Sequence, residues 1–202
     1  MIYLQHAENL LHIEPTQRLA ENLEILLTSQ DLHQIWYYLK RNPRVVHEPF
    51  PDRYSYFPLH HAAEQEHAKN LIFLLLQAQA DVHARDYEDE TPLHVATLYA
   101  GVADIAWLLN FRSDVNSRSL RNVMPLHHAA NRGQPSIVSL ILQAKAVDVD
   151  AQRYYADPLY DGAVPLLLAT LILVTEADSI ASEADCVSSV GMLIRSGARG
   201  VN

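Results

Sequence analysis

The chain has 202 residues, a formal charge of −9, 49% hydrophobic residues and a single cysteine, Cys186. The acidic balance argues against a nucleic-acid partner, which calls for a basic face, and one cysteine excludes an intramolecular disulfide and fits a reducing, cytoplasmic compartment. The longest apolar run, Ala163 to Val174, holds about a dozen residues against the ~20 of a membrane helix, and no basic n-region precedes an apolar stretch at the N-terminus, so a soluble chain is expected.

Residues 1–20 read as a helical extension, with Pro15 and Thr16 marking a helix start. Residues 21–56 begin with a helix pair, Glu21 to Ser29 (ENLEILLTS) and Asp31 to Lys40 (DLHQIWYYLK). Asn42-Pro43 ends the pair, because the residue before proline is pushed out of the helical region. From there a tetrapeptide recurs: Phe57-Pro58-Leu59-His60, Thr91-Pro92-Leu93-His94, Met124-Pro125-Leu126-His127 and the degenerate Val164-Pro165-Leu166-Leu167. The prolines stand 34, 33 and 40 residues apart. Each copy leads into a short apolar run such as His61-Ala62-Ala63 or His128-Ala129-Ala130, then a second run (Leu71 to Gln77, Ile105 to Leu109, Ile137 to Leu142), then Ala80-Asp81-Val82-His83, Ser113-Asp114-Val115-Asn116 or Asp148-Val149-Asp150. Apolar spacing of three and four residues predicts two short helices per unit. Proline suits the first turn of the first helix, where its missing N–H costs nothing, and Thr91 is placed to cap that turn.

A period near 33 is the mark of a stacked array whose units bury their apolar faces only against their neighbours. Period, tetrapeptide, alanine pair and the Asp-Val-Asn-like segment together resemble the ankyrin repeat family over about residues 21–202. The resemblance implies an all-α solenoid of helix-turn-helix repeats with projecting hairpin loops. Its units would be an N-terminal helical extension at 1–20, a capping repeat at 21–56, repeats at 57–90, 91–123 and 124–163, and a degenerate last repeat at 164–202.

Histidine is abundant, yet neighbouring residues on a helix point about 100° apart, so His60-His61 and His127-His128 cannot chelate one ion, and no Cys/His spacing matches a zinc site. The resemblance instead gives His60, His94 and His127 backbone hydrogen bonds within and between repeats, and leaves His61 and His128 on the inner helical face, open to a partner. Cys186 lies in SEADC, an acidic setting that raises a thiol pKa and makes a poor nucleophile. No phosphate loop, paired-carboxylate motif or nucleophile elbow is present. The expectation is a non-catalytic chain without metal or cofactor.

In ankyrin-like arrays the loops form fingers that, with the first helices, make a concave binding face. Here the fingers hold Arg53, Tyr54 and Tyr56; Tyr87, Glu88 and Glu90; Leu120, Arg121 and Val123; and Tyr154, Tyr155 and Tyr160. Six of the ten tyrosines therefore fall at finger tips, and tyrosine offers a large amphipathic contact at low entropic cost. Tyr99 and Arg132 join them from the first helices, beside Glu64, Gln65 and Asn131. The finger at Arg153 to Gly162 is about six residues longer than its counterparts, a length that marks functional or disordered loops, and Thr175 to Cys186 forms a second insertion. Asn116 closes a segment resembling those that asparaginyl hydroxylases modify; the alternative is that its amide only satisfies finger backbone groups.

Leu166 to Val174 is apolar all round, which calls for burial on every side, and Ile180 or Val187 is expected to pack over its outer face. The functional expectation is a protein-binding module acting on another protein, with no nucleic acid and no membrane insertion. The alternative is the targeting portion of a larger enzyme or secreted bacterial effector, working in the host cytosol, whose catalytic domain lies outside this chain.

Overall fold

A computed structural model describes residues 15–51, 55–65, 67–144, 146–152, 163–175 and 183–198. Ten α-helices occur among these residues: α1 (Pro15–Ser29), α2 (Leu32–Arg41), α3 (Pro58–Glu64), α4 (Lys69–Gln77), α5 (Pro92–Tyr99), α6 (Val102–Asn110), α7 (Pro125–Arg132), α8 (Pro135–Leu142), α9 (Pro165–Thr175) and α10 (Glu183–Arg195). A 3-10 turn spans Pro43–His47, and among the described residues there is no strand, only an isolated antiparallel bridge between Phe50 and Tyr56. The odd-numbered helices pack in succession to form one layer, and the even-numbered helices form a second layer behind it. The protein is an all-α solenoid with hairpin loops between its helix pairs.

Local chemistry sets the helix ends. Proline stands at the first turn of α3, α5, α7 and α8. Asp31 caps α2, its carboxylate accepting the N–H groups of His33 and Gln34 at 3.1 Å each. The helix before it is longer than the run from Glu21 suggests, because it begins at Pro15 and continues unbroken to Ser29. α4 and α6 end in the same turn: Ala80 N–H donates to Leu75 and Ser113 N–H to Leu108, with Gln79 and Arg112 in the left-handed region. This six-to-one closure satisfies the last carbonyls.

The apolar positions of the tetrapeptide make the core. Leu59, Leu93 and Leu126 are buried, as are Ala62, Ala63, Ala96, Ala129 and Ala130, whose small side chains let successive first helices approach closely. Burying each leucine contributes roughly 1.5–3 kcal/mol. At the end of the array Leu168 and Ala169 of α9 are buried, and α10 packs against both α8 and α9. The inward side of α10 is Cys186, Ser189 and Leu193, whereas Val187 is exposed. Of the two residues expected over α9, Ile180 or Val187, this corrects the second: residues 186, 189 and 193 share one helical face and 187 lies off it. Ile180 lies outside the described residues.

Candidate protein-binding surface

The tetrapeptide histidines tie each unit to the next. His60 Nε2–H donates to the Glu90 carbonyl at 3.0 Å, His94 to Val123 at 3.0 Å and His127 to Ala151 at 2.8 Å. In the second and third units the other ring nitrogen also works: Nδ1 of His94 accepts the Thr91 N–H at 3.1 Å, and Nδ1 of His127 accepts the Met124 N–H at 3.0 Å. The Thr91 hydroxyl sits 2.8 Å from the same Nδ1, so threonine and histidine cap the first turn of α5 together. His60 Nδ1 makes no such bond. Burial drives both His60 and His94 down to about 4, so they are neutral imidazoles at physiological pH, and His94 is held as the Nε2–H tautomer.

The same bonds hold the fingers in register. The second and third fingers close as hairpins, Asp86 N–H to Glu90 at 3.1 Å and Ser119 N–H to Val123 at 2.9 Å, with Asp89 and Asn122 at the left-handed tip positions. Burial raises the Asp86 carboxyl, which accepts the N–H groups of Glu88 and Glu90 at 2.9 Å each. Between fingers, Leu120 N–H donates to the Glu88 carbonyl at 2.9 Å, Arg85 reaches the Arg118 carbonyl at 2.8 Å, and Arg118 pairs with Asp148 at 2.8 Å. The Asn122 amide donates to the Gln152 carbonyl. Asn116 bridges in both directions, donating to Ala146 O at 2.7 Å and accepting Asp148 N–H at 2.9 Å.

Against this frame the expected contact residues separate. Arg53, Tyr54, Tyr154, Tyr155 and Tyr160 lie outside the described residues. Tyr87 is 59% exposed and its hydroxyl donates to Glu88 at 3.0 Å, a bond that raises the phenol's pKa. Glu88 also takes Arg121 at 3.1 Å across the finger gap. Leu120, next to that arginine, is 70% exposed. Tyr87, Glu88, Leu120 and Arg121 thus come together on two adjacent tips. Tyr99 and Arg132 form a second group at the far end of the first helices, about 10 Å along an eight-residue helix. Tyr99 is 49% exposed, and Arg132 donates to the Ala100 carbonyl at 2.6 Å and to that of Tyr99 at 3.4 Å. Glu64 and Asn131 are exposed on the same layer.

Other residues turn inward. Tyr56 is half-buried, its ring 5.2 Å from that of His60. Val123 is buried beneath its finger. Glu90 meets His128 at 3.0 Å. Burial acts to raise the Glu90 carboxyl, but the His128 hydrogen bond and charge outweigh it, and the group is held below its usual range. The expectation that His61 and His128 face a partner needs correcting. His61 is buried, edge-on to Phe50 at 5.9 Å and bonded to the Gln65 amide at 2.9 Å, and His128 is engaged by Glu90. Leu120 was legible as a finger residue but carries no polar signal that singles it out as a contact. Cys186 is buried, and no three His, Cys, Asp or Glu side chains among the described residues are grouped to hold a metal. No helix among them is long and apolar enough to cross a membrane.

Paired helices in two layers, repeated near every 33 residues and joined by hairpin fingers, define a helical repeat solenoid. It is an ankyrin-repeat array: the ankyrin repeat family profile matches residues 55–87 and 123–154. The chain is 35% identical over 79 residues to the serine/threonine-protein kinase VIK of Arabidopsis thaliana, covering 39% of this chain and 18% of that protein. It is 30% identical over 125 residues to neurogenic locus notch homolog protein 1 of Homo sapiens, 60% of this chain and 5% of that protein. The E3 ubiquitin-protein ligase KEG of Arabidopsis thaliana is 35% identical over 81 residues, 40% of this chain and 5% of that protein. The chain spans less than a fifth of the length of each of these relatives. Ankyrin repeats are in general protein–protein interaction modules.

Proposed function

We propose that this array binds a partner protein through the face made by its fingers and first helices, and that it does so without chemistry of its own, in the cytoplasm. One observation carries the reading. Tyr87 and Leu120 are presented together on adjacent tips whose backbones are already fixed, by the Leu120 N–H to Glu88 bond and the Arg121–Glu88 pair. Contact groups held in place before binding lose little entropy when a partner arrives. Exposed aromatic and apolar side chains at such a site are the kind that dominate binding energy. The Arg121–Glu88 pair itself is half-exposed and serves position more than affinity.

The test is an affinity capture with the whole chain followed by mass spectrometry, then titration of the captured protein. Tyr87→Ala and Leu120→Ala should each weaken binding by about tenfold or more, corresponding to ~1.4 kcal/mol or more, with the unfolding midpoint within error of the parent. Normal binding by the Tyr87→Ala, Leu120→Ala double variant would overturn the assignment. A second reading has specific support: two relatives are named as a kinase and a ubiquitin ligase, and this chain matches only a small share of each. On that reading the array is the targeting portion of a larger enzyme or secreted effector, acting in the cytosol where that enzyme's substrate resides. A captured partner that a linked catalytic domain modifies would favour it.

A further inference from the structure

The second-helix layer carries a groove that the finger face does not explain. It lies between α2 and α4, has a volume of about 630 Å³, and is floored by Leu32, Trp36, Leu39, Phe73 and Leu74. Trp36 is 50% exposed and Phe73 is 38% exposed, so large apolar rings face solvent on a surface remote from the fingers. Phe73 is fixed from behind by Trp107, ring centroids 4.6 Å apart. On the other wall Lys40 Nζ lies 4.8 Å above the Trp36 ring, and Arg41 lies 4.8 Å above Tyr37. The side chains that would line a contact are therefore already ordered.

Charge selects the occupant. The two walls, residues 32–47 and 67–80, contain no aspartate or glutamate within a chain of net charge −9; of their lysines and arginines Lys40 lines the groove, and Arg41, Arg44 and Lys69 stand beside it. Asp31 and Glu48 flank the first wall and Glu66 and Asp81 the second, and the Asp31 carboxylate is taken by the cap of α2. A symmetric pairing of two copies through this groove would set basic wall against basic wall, which is unfavourable. We propose that the α2–α4 groove is a second docking site, for an acidic amphipathic segment of a partner protein. Its apolar side chains fill the space between Trp36 and Phe73, and its carboxylates meet Lys40, Arg41, Arg44 and Lys69. This site stands independently of the finger face and faces away from it, so one chain can hold two partners.

A displayed library of random peptides, panned on the whole chain after depletion on the Trp36→Ala variant, supplies the probe. The enriched sequences should carry Asp or Glu on one helical face and Leu, Phe or Trp on the other. The best of them, made as a labelled peptide, should bind at least about tenfold more weakly to Trp36→Ala and to the K40E/R41E double variant. Its affinity should fall with added salt and be unchanged by Tyr87→Ala, which separates this site from the finger face. All of the substituted side chains are exposed, and matched unfolding midpoints verify that the variants fold. Enriched peptides without an acidic bias, or affinities indifferent to Trp36, would overturn the proposal. So would the absence of any Trp36-dependent clone, or a dimer seen by light scattering that Trp36→Ala dissolves, which would give the groove to a second copy of this chain.

Discussion

Replacing His94 by alanine removes more than a side chain from the interior of α5. The ring is fully buried; its Nε2–H satisfies the Val123 carbonyl at 3.0 Å, and its Nδ1 satisfies the Thr91 N–H at 3.1 Å. Thr91 and Val123 are themselves buried, so water cannot replace either bond. Each stranded group costs about 1–3 kcal/mol, and the lost ring leaves a cavity at the junction of two repeats. A total of about 3–5 kcal/mol is expected. His60→Ala is the internal control. His60 is equally buried, but it makes only the bond to Glu90, and its Nδ1 is unbonded. His94→Ala should therefore exceed His60→Ala by about 1–3 kcal/mol, the worth of one stranded buried donor. Urea unfolding followed by far-UV circular dichroism and by tryptophan fluorescence measures both variants, and agreement of the two probes tests whether the array still unfolds as one unit. Equal losses within about 0.5 kcal/mol, or a larger loss for His60→Ala, would refute the reasoning from Nδ1.

The same two histidines give the array a pH dependence. Their folded values of about 4 lie below the ordinary 6.5, so the unfolded chain binds more protons between these limits. Stability is then full above pH 6.5 and falls toward pH 4 by about 1.4 kcal/mol per pH unit for each histidine; a His94→Gln variant whose slope over that window matches the parent would contradict this. At the third finger tip, Asn122 has a φ of 58°, donates to Gln152 and accepts from Arg118 at 2.9 Å. Asn122→Gly should lose only these side-chain bonds, whereas Asn122→Ala also meets left-handed strain of about 1–2 kcal/mol, so thermal melting should rank glycine above alanine. Both ends of the Asn116 amide are engaged by the segment that follows α8 in the next repeat. Incubation with an asparaginyl hydroxylase should leave the intact mass of the folded chain unchanged, and a gain of one oxygen would show that the finger opens to the enzyme.

What could be read from the sequence was local chemistry repeated at a fixed period. Pro58, Pro92 and Pro125 mark helix starts, the leucine after each is buried, and the next histidine bonds across the repeat; each role is set within a few residues and then copied. The ends of helices followed the same logic at Asn42-Pro43. What the sequence did not reveal depends on partners far along the chain. His61 resembles an open counterpart of His60 until Phe50 and Gln65 close over it, and Glu90 reads as a finger acid until His128, 38 residues later, is seen beside it. Left-handed tips at Ser55, Asp89 and Asn122 recur with the period but carry three different residues, none of them glycine. The exposure of Trp36 was hidden for another reason: an amphipathic helix pattern says which side faces the core, not how far its neighbour in the layer stands away. Val187 is the opposite case, since the three- and four-residue spacing of Cys186, Ser189 and Leu193, a local pattern, is what sets the inward face of α10.

Hydrogen–deuterium exchange of the whole chain, with and without its captured protein partner, tests the central claim most directly. Binding through the finger face predicts slowed exchange at residues 86–90 and 119–123 and along α5 and α7, with α6 and α8 unchanged. Protection confined to the second-helix layer, or none at the two fingers, would contradict it.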